Sequence, residues 1–68
     1  MTKLSLTDIS DMTLIDKSTL SKYLRGDIEI KLSKAEEVER ATGLPVKIFT
    51  SVELQEKYLV KVYRRIGV

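Results

Sequence analysis

Residues 17 to 25 hold three cations, three short aliphatic hydroxyls and no acid. At about 100° per residue, Lys17, Ser18, Ser21, Lys22 and Arg25 share one side of a helix. Leu20, Tyr23 and Leu24 share the other. Short hydroxyls allow close approach and can donate or accept, while lysine and arginine pair with phosphate oxygens or with guanine acceptors. A helix fits the major groove of duplex DNA, and its first turns bring side chains to base edges. Lys17, Ser18 and Ser21 stand on those turns, with Thr19 among them. Lys22 reaches guanine or phosphate, and Arg25, at the far end, meets the DNA backbone. The helix N-terminus itself attracts a phosphate. The residues expected to touch DNA are therefore Lys17, Ser18, Thr19, Ser21, Lys22 and Arg25. The blander reading of the same face is a solvated charged surface.

The flanking residues must fold so that this face stands free. Asp16 is a good N-cap for the helix, and Gly26 is its natural left-handed C-cap. Upstream, Ser5 and Asp8 form a weak capping box, and Leu4 and Ile9 sit where a hydrophobic staple would. A short helix is expected from about Leu6 to Thr13. Leu14-Ile15-Asp16 is then a tight connection, so a helix-turn-helix spans residues 6–25. Asp27 to Leu32 alternates, with Ile28, Ile30 and Leu32 apolar. A brief strand and a loop feeding apolar side chains inward fit it equally. Ser33-Lys34-Ala35-Glu36 reads as a capping box that opens a third helix running to about Ala41. Thr42-Gly43-Leu44 closes that helix, with Leu44 able to pack back on Val38. Pro45 to Phe49 suits a single helical turn. Thr50-Ser51-Val52-Glu53 reads as another capping box, opening a last helix from Ser51 to about Ile66.

The run Ile9-Ser10-Asp11-Met12-Thr13-Leu14-Ile15-Asp16-Lys17-Ser18-Thr19-Leu20-Ser21-Lys22-Tyr23-Leu24-Arg25-Gly26 resembles the helix-turn-helix of the Cro/lambda-repressor-like DNA-binding family. Ser10 falls where that family wants a small residue, so that two helices can approach. Ile15, Leu20 and Tyr23 fall at its buried positions, and the ending Lys22 to Gly26 is similar to that of its recognition helix. Ala35, Val38, Ala41, Gly43 and Leu44 fit its following helix. The resemblance covers about Leu6 to Phe49. It implies a lambda-repressor-like all-α fold and a repressor or Cro-like switch protein of a phage, plasmid, virus or mobile element. Two departures stand out. The family often has Gly in the turn, where this chain has Leu14, and a left-handed Leu costs on the order of 1 kcal/mol. A differently built turn is therefore expected. The family also has a whole helix before the motif, and only about five residues precede Leu6 here. The C-terminal helix is the candidate to cover the core left open.

On that C-terminal helix, Val52, Leu54, Tyr58, Leu59, Val62, Tyr63 and Ile66 spread over an arc of about 180°. One small core needs closer to about 100°. The surplus suggests a twin subunit, with Leu54, Tyr58, Leu59, Val62, Tyr63 and Ile66 at the dimer contact. A strand over Tyr58 to Tyr63 competes with this reading. The basic residues Lys57, Lys61, Arg64 and Arg65 either add phosphate contacts or extend past the domain. Tyr23 reads as core rather than a base-stacking aromatic, and Glu36-Glu37-Val38-Glu39 reads as a solvated helix face.

Composition narrows the function classes. The chain has 68 residues, room for one domain over 1–68 with a thin core. It has no cysteine and no histidine, which excludes Ser-His-Asp and Cys-His catalysis and thiolate or imidazole metal sites. No catalytic residue, metal, cofactor or small-molecule ligand is assigned. Net charge is +2, divided as +1 over residues 1–26 (four basic, three acidic), −2 over 27–45 (three, five) and +3 over 46–68 (five, two). No apolar run approaches the roughly 20 residues of a membrane span. The expectation is an all-α domain of four to five short helices, lacking the usual first helix and ending in a C-terminal helix. Its expected function is sequence-specific binding of double-stranded DNA, as a homodimeric, non-enzymatic transcriptional regulator in a prokaryotic or host cytoplasm. The alternative is a protein-interaction module, an antirepressor or adaptor, that uses the apolar C-terminal helix.

Overall fold

The computed structural model describes residues 3–64. Four α-helices and one 3-10 turn follow in order: α1 (Leu6–Thr13), α2 (Lys17–Arg25), α3 (Leu32–Thr42), the 3-10 turn Val46–Phe49, and α4 (Val52–Tyr58). The first two helices have the expected bounds because their ends are encoded locally. Ser5 Oγ accepts from the Asp8 N–H at 3.2 Å, and Asp8 Oδ2 accepts from the Ser5 N–H at 3.0 Å, which completes a capping box. Asp16 accepts from the Ser18 N–H at 3.0 Å and caps α2. Gly26, with φ of 85°, ends it.

Helices α1 and α3 end by the same device. Thr13 Oγ1 donates to Ile9 O at 2.7 Å and accepts from the Ile15 N–H at 3.3 Å. Thr42 Oγ1 donates to Val38 O at 2.6 Å and accepts from the Leu44 N–H at 3.2 Å. Between threonine and apolar residue stands a left-handed residue: Gly43 with φ of 79° in one case, Leu14 with φ of 62° in the other. The turn is therefore not built differently to spare Leu14. The Thr13 bonds, together with a bond from Ser10 Oγ to Ile15 O at 2.7 Å, hold it in place. The Leu14 side chain is 92% exposed and gains nothing from packing.

Two helix starts differ from the sequence reading, and the open choice between strand and loop at 27–31 is decided. Helix α3 starts at Leu32, because the Ala35 N–H already bonds Lys31 O at 2.9 Å; Lys31 gives no side-chain cap, and Ser33 lies inside the first turn. At α4 the cap is Ser51, which accepts from the Leu54 N–H at 3.2 Å. Thr50 instead ends the 3-10 turn, its N–H bonding Lys47 O at 3.0 Å. The segment 27–31 is a loop, from which Ile30 packs on the core while Ile28 is exposed, as is Leu32 at the start of α3.

The largest correction is at the C-terminus. The helix expected over 51–66 ends at Tyr58, and Leu59 is extended, with φ of −112° and ψ of 151°. Leu4 and Leu59 form a parallel bridge, with Leu4 N bonding Tyr58 O at 3.0 Å and Val60 N bonding Leu4 O at 3.1 Å. The wide apolar arc arises because these residues do not share one helix. Leu59, expected at a dimer contact, lies in the monomer's own core at 1% exposure. Leu54, Tyr58 and Tyr63 pack against that core, and Val62 is half-buried. Ile66 and Arg65 lie outside the described residues. The core joins Ile9 of α1, Leu20 and Leu24 of α2, Ala35 and Val38 of α3, and Leu44, Ile48, Phe49 and Leu59.

One buried side chain in this apolar interior is polar. Gln55 is fully buried, and all four of its hydrogen bonds are made. Nε2 donates to Leu24 O and to Ile48 O, both at 2.9 Å. Oε1 accepts from the N–H groups of Tyr63 at 2.9 Å and Arg64 at 3.0 Å. No local pattern marks this residue, since Leu24 is 31 positions away.

Two stability predictions follow from these contacts. Gln55→Leu keeps the volume and leaves four backbone groups without partners, at about 1–3 kcal/mol for a buried unsatisfied group. It should destabilise the domain by at least about 3 kcal/mol in urea unfolding, and a loss under about 1 kcal/mol would contradict the role given to the amide. Leu14→Gly should raise stability by up to about 1 kcal/mol, because it removes left-handed strain at a side chain with no packing to lose. A destabilised glycine variant would show that the leucine has a structural partner.

Candidate nucleic-acid interface

Helix α2 is anchored by Leu20 and Leu24, at 0% and 1% exposure. Tyr23 meets the Phe49 ring edge-on, with centroids 6.2 Å apart and an interplanar angle of 83°. That is the packing role expected of Tyr23, and it leaves the opposite side of α2 outward. Lys17, Ser18 and Lys22 are exposed there. Thr19, Ser21 and Arg25 are half-buried. The six residues are thus on one element, three standing clear of the surface and three at its margin.

The tip of the helix carries chemistry that residue types alone did not reveal. Ser18 Oγ bonds the Asp16 carboxylate, as does the Ser18 N–H. An ionised carboxylate only accepts, so the hydroxyl proton points to Asp16. Ser18 Oγ therefore turns its lone pairs outward as an acceptor. The Ser18 hydroxyl and then its N–H hold the Asp16 pKa below the ordinary carboxylate value. Asp16 occupies the Ser18 N–H and brings a negative charge to the tip, where a phosphate was expected. At the other end, Arg25 Nε lies 3.1 Å from Asp27 Oδ2, so its charge is partly matched within the chain. The contact is off the line of a hydrogen bond and leaves Arg25 Nε without a bonding partner. Asp27, two residues on, was the available sequence signal for this pair.

A family model described as helix-turn-helix matches residues 2–49. The chain belongs to this family. It is the Cro/lambda-repressor-like helix-turn-helix family, one of DNA-binding transcription regulators. No curated protein and no solved structure matches the chain. Within the family frame, α1 and α2 are the helix-turn-helix, and Ser10 is the small residue between them. Its hydroxyl bonds Ile15 O across the turn, so it serves in hydrogen bonding as well as size. Among the described residues, no helix is long and apolar enough to cross a membrane.

The two capping carboxylates set an acid dependence. Asp8 is held below its ordinary pKa by the Ser5 backbone N–H and then the Ser5 hydroxyl. Asp16 is held low by Ser18. A carboxylate whose folded pKa is depressed contributes stability that is present above its unfolded pKa and lost as pH falls through the folded value. The thermal midpoint should therefore fall on acidification below the ordinary carboxylate range. Asp16→Asn should lower the midpoint at neutral pH and make the acid decline shallower. An unchanged acid decline in Asp16→Asn would remove Asp16 from this account.

Proposed function

We propose that the chain is a sequence-specific regulator of transcription that reads double-stranded DNA with α2. In this reading it acts as a repressor or Cro-like switch, as a homodimer on an inverted repeat in a prokaryotic or host cytoplasm. The observation that carries the reading is the free outer face of α2, with Lys17, Ser18 and Lys22 exposed above a helix pinned by Leu20 and Leu24. Roles divide by chemistry. Lys17 and Lys22 are donors for guanine edges or phosphates. Ser18, its proton engaged by Asp16, is an acceptor suited to the amino groups of adenine or cytosine. Ser21 and Thr19 add polar contacts at the margin, and Arg25 meets phosphate.

The dimer is supported by the size of the reading element. Nine residues make a helix about 14 Å long, which spans roughly four base pairs at about 3.4 Å each. One copy reads too little to select a site, and two copies double the reading, with half-sites about one helical turn apart. Of the residues first considered for the contact, Leu54, Tyr58, Val62 and Tyr63 are half-buried and retain surface, and Val60 beside them is 60% exposed. These form the proposed contact.

Selection of bound duplexes from a random pool tests the reading directly. An inverted repeat is the expected product. Ser18→Ala and Ser21→Ala should each cost about 1–3 kcal/mol on the selected site and little on random duplex. Lys22→Ala should weaken all sequences if its partner is a phosphate. Leu20→Ala serves as the folding control, with a cavity cost of about 2–5 kcal/mol. Intact duplex binding after alanine replacement of all six α2 residues, in a folded protein, would overturn the reading. An absence of any duplex binding would leave the interaction-module alternative in its place.

A further inference from the structure

The amide of Gln55 fixes two successive backbone N–H groups, those of Tyr63 and Arg64. This delivers the Arg64 side chain to a defined place. Its guanidinium lies against Gly26, where an added Cβ would meet Nη1 at 2.9 Å and the guanidinium carbon at 3.6 Å. Gly26 is the residue directly after Arg25, so the cation stands at the C-terminal end of α2. Any other residue at 26 would displace it, quite apart from the positive φ.

The simplest role for a cation there is to cap the helix, but the cap is already made. The Gly26 N–H bonds Lys22 O and Tyr23 O at 3.1 and 3.2 Å, and the Asp27 N–H bonds Lys22 O at 2.9 Å. Leu24 O is held by Gln55. Arg64 makes one long hydrogen bond, from Nη1 to Phe49 O at 3.4 Å, and among the described residues no carboxylate forms an ion pair with it. Five N–H donors in a rigid fork are thus held beside the helix, mostly without partners among the described residues. Glu29 lines the same cavity without closing on it. A fork of this shape matches the oxygens of a phosphodiester.

We propose that Arg64 is a phosphate-binding residue of the DNA interface, held by Gln55 and by the bare Gly26 beside the end of the recognition helix. The proposal rests on the DNA-binding reading above and deepens it. The tip of α2 reads bases, and Arg64 anchors the other end of the helix to the sugar-phosphate backbone. Such a contact carries no sequence information; it sets the depth and register at which the reading residues enter the groove.

The test compares wild type, Arg64→Gln and Arg64→Lys on a random-sequence duplex over a range of salt, with thermal midpoints recorded alongside. Arg64→Gln should flatten the slope of log affinity against log salt by about one per bound subunit. It should weaken random and selected duplexes by the same factor. Arg64→Lys should recover the slope. An unaltered slope in a folded Arg64→Gln protein would overturn the proposal and leave Arg64 a packing residue, even if the midpoint falls. A wild type that shows no salt-dependent duplex binding would overturn the DNA reading itself, and this proposal with it. If Arg64→Gln does not fold, the Arg64 side-chain N–H resonance of the wild type decides: it should shift on adding duplex at low salt, and an unmoved resonance refutes the contact.

Discussion

Three pieces of this domain meet at one buried amide of α4. The end of α2, the 3-10 turn and the C-terminal segment all bond to Gln55. Apolar burial supplies most of the driving force for folding, but it is non-directional. A core of nine apolar side chains could be filled by several arrangements of such short helices. Hydrogen bonds to a primary amide are directional, and this one is buried with every donor and acceptor engaged. An arrangement that misses one partner leaves a polar group unsatisfied away from water. The amide therefore selects among packings that the apolar residues alone would accept. It also explains where the chain goes after α4, since Oε1 is satisfied only if residues 63 and 64 return to it.

The same constraint reaches the outer face of α2. Leu24 O, at the inner side of the helix end, is bonded by Gln55, and the Lys22 and Tyr23 carbonyls are capped by the Gly26 and Asp27 N–H groups. The helix end is thus held from the core and from the following loop at once. At the other end, Asp16 holds Ser18 by its N–H and hydroxyl. The nine residues of α2 are thus fixed at both ends by side chains outside the helix. In the DNA-reading role proposed for α2, rigid placement of this kind would let a few side chains discriminate base edges, because a loosely held helix would accept several registers on the duplex.

The connection between α1 and α2 shows how a tight turn tolerates an unfavourable residue. Thr13 and Ser10 satisfy the polar groups around Leu14, and Ile15 is drawn onto the core. The identical threonine device at Thr42 carries Gly43. The geometry is set by the hydroxyl and by the apolar residue that follows, and the left-handed residue between them has only to endure it. This is why Leu14 can stand in the left-handed position that Gly43 holds at the end of α3.

The local pattern of the chain was enough to place α1 and α2, the caps at Ser5, Asp16, Gly26 and Gly43, and the single turn ending at Phe49. Each of these rests on contacts within four residues, where residue type and spacing state the interaction almost completely. Even there, a one-residue ambiguity between Thr50 and Ser51, and a helix start at Leu32 whose N-cap Lys31 makes no side-chain bond, escaped a reading based on capping residues alone. The tertiary structure decided the rest. Tyr58 to Tyr63 holds apolar and β-branched residues that suit a helix or an extended segment, and the choice fell to Leu4, far away in the chain, and to Gln55. Leu59 could be counted as apolar from the sequence, but only the bridge to Leu4 put it in the core. The meeting of Arg64 with Gly26 depends on a return of the chain across 38 residues, and no periodicity encodes a contact between residues so distant.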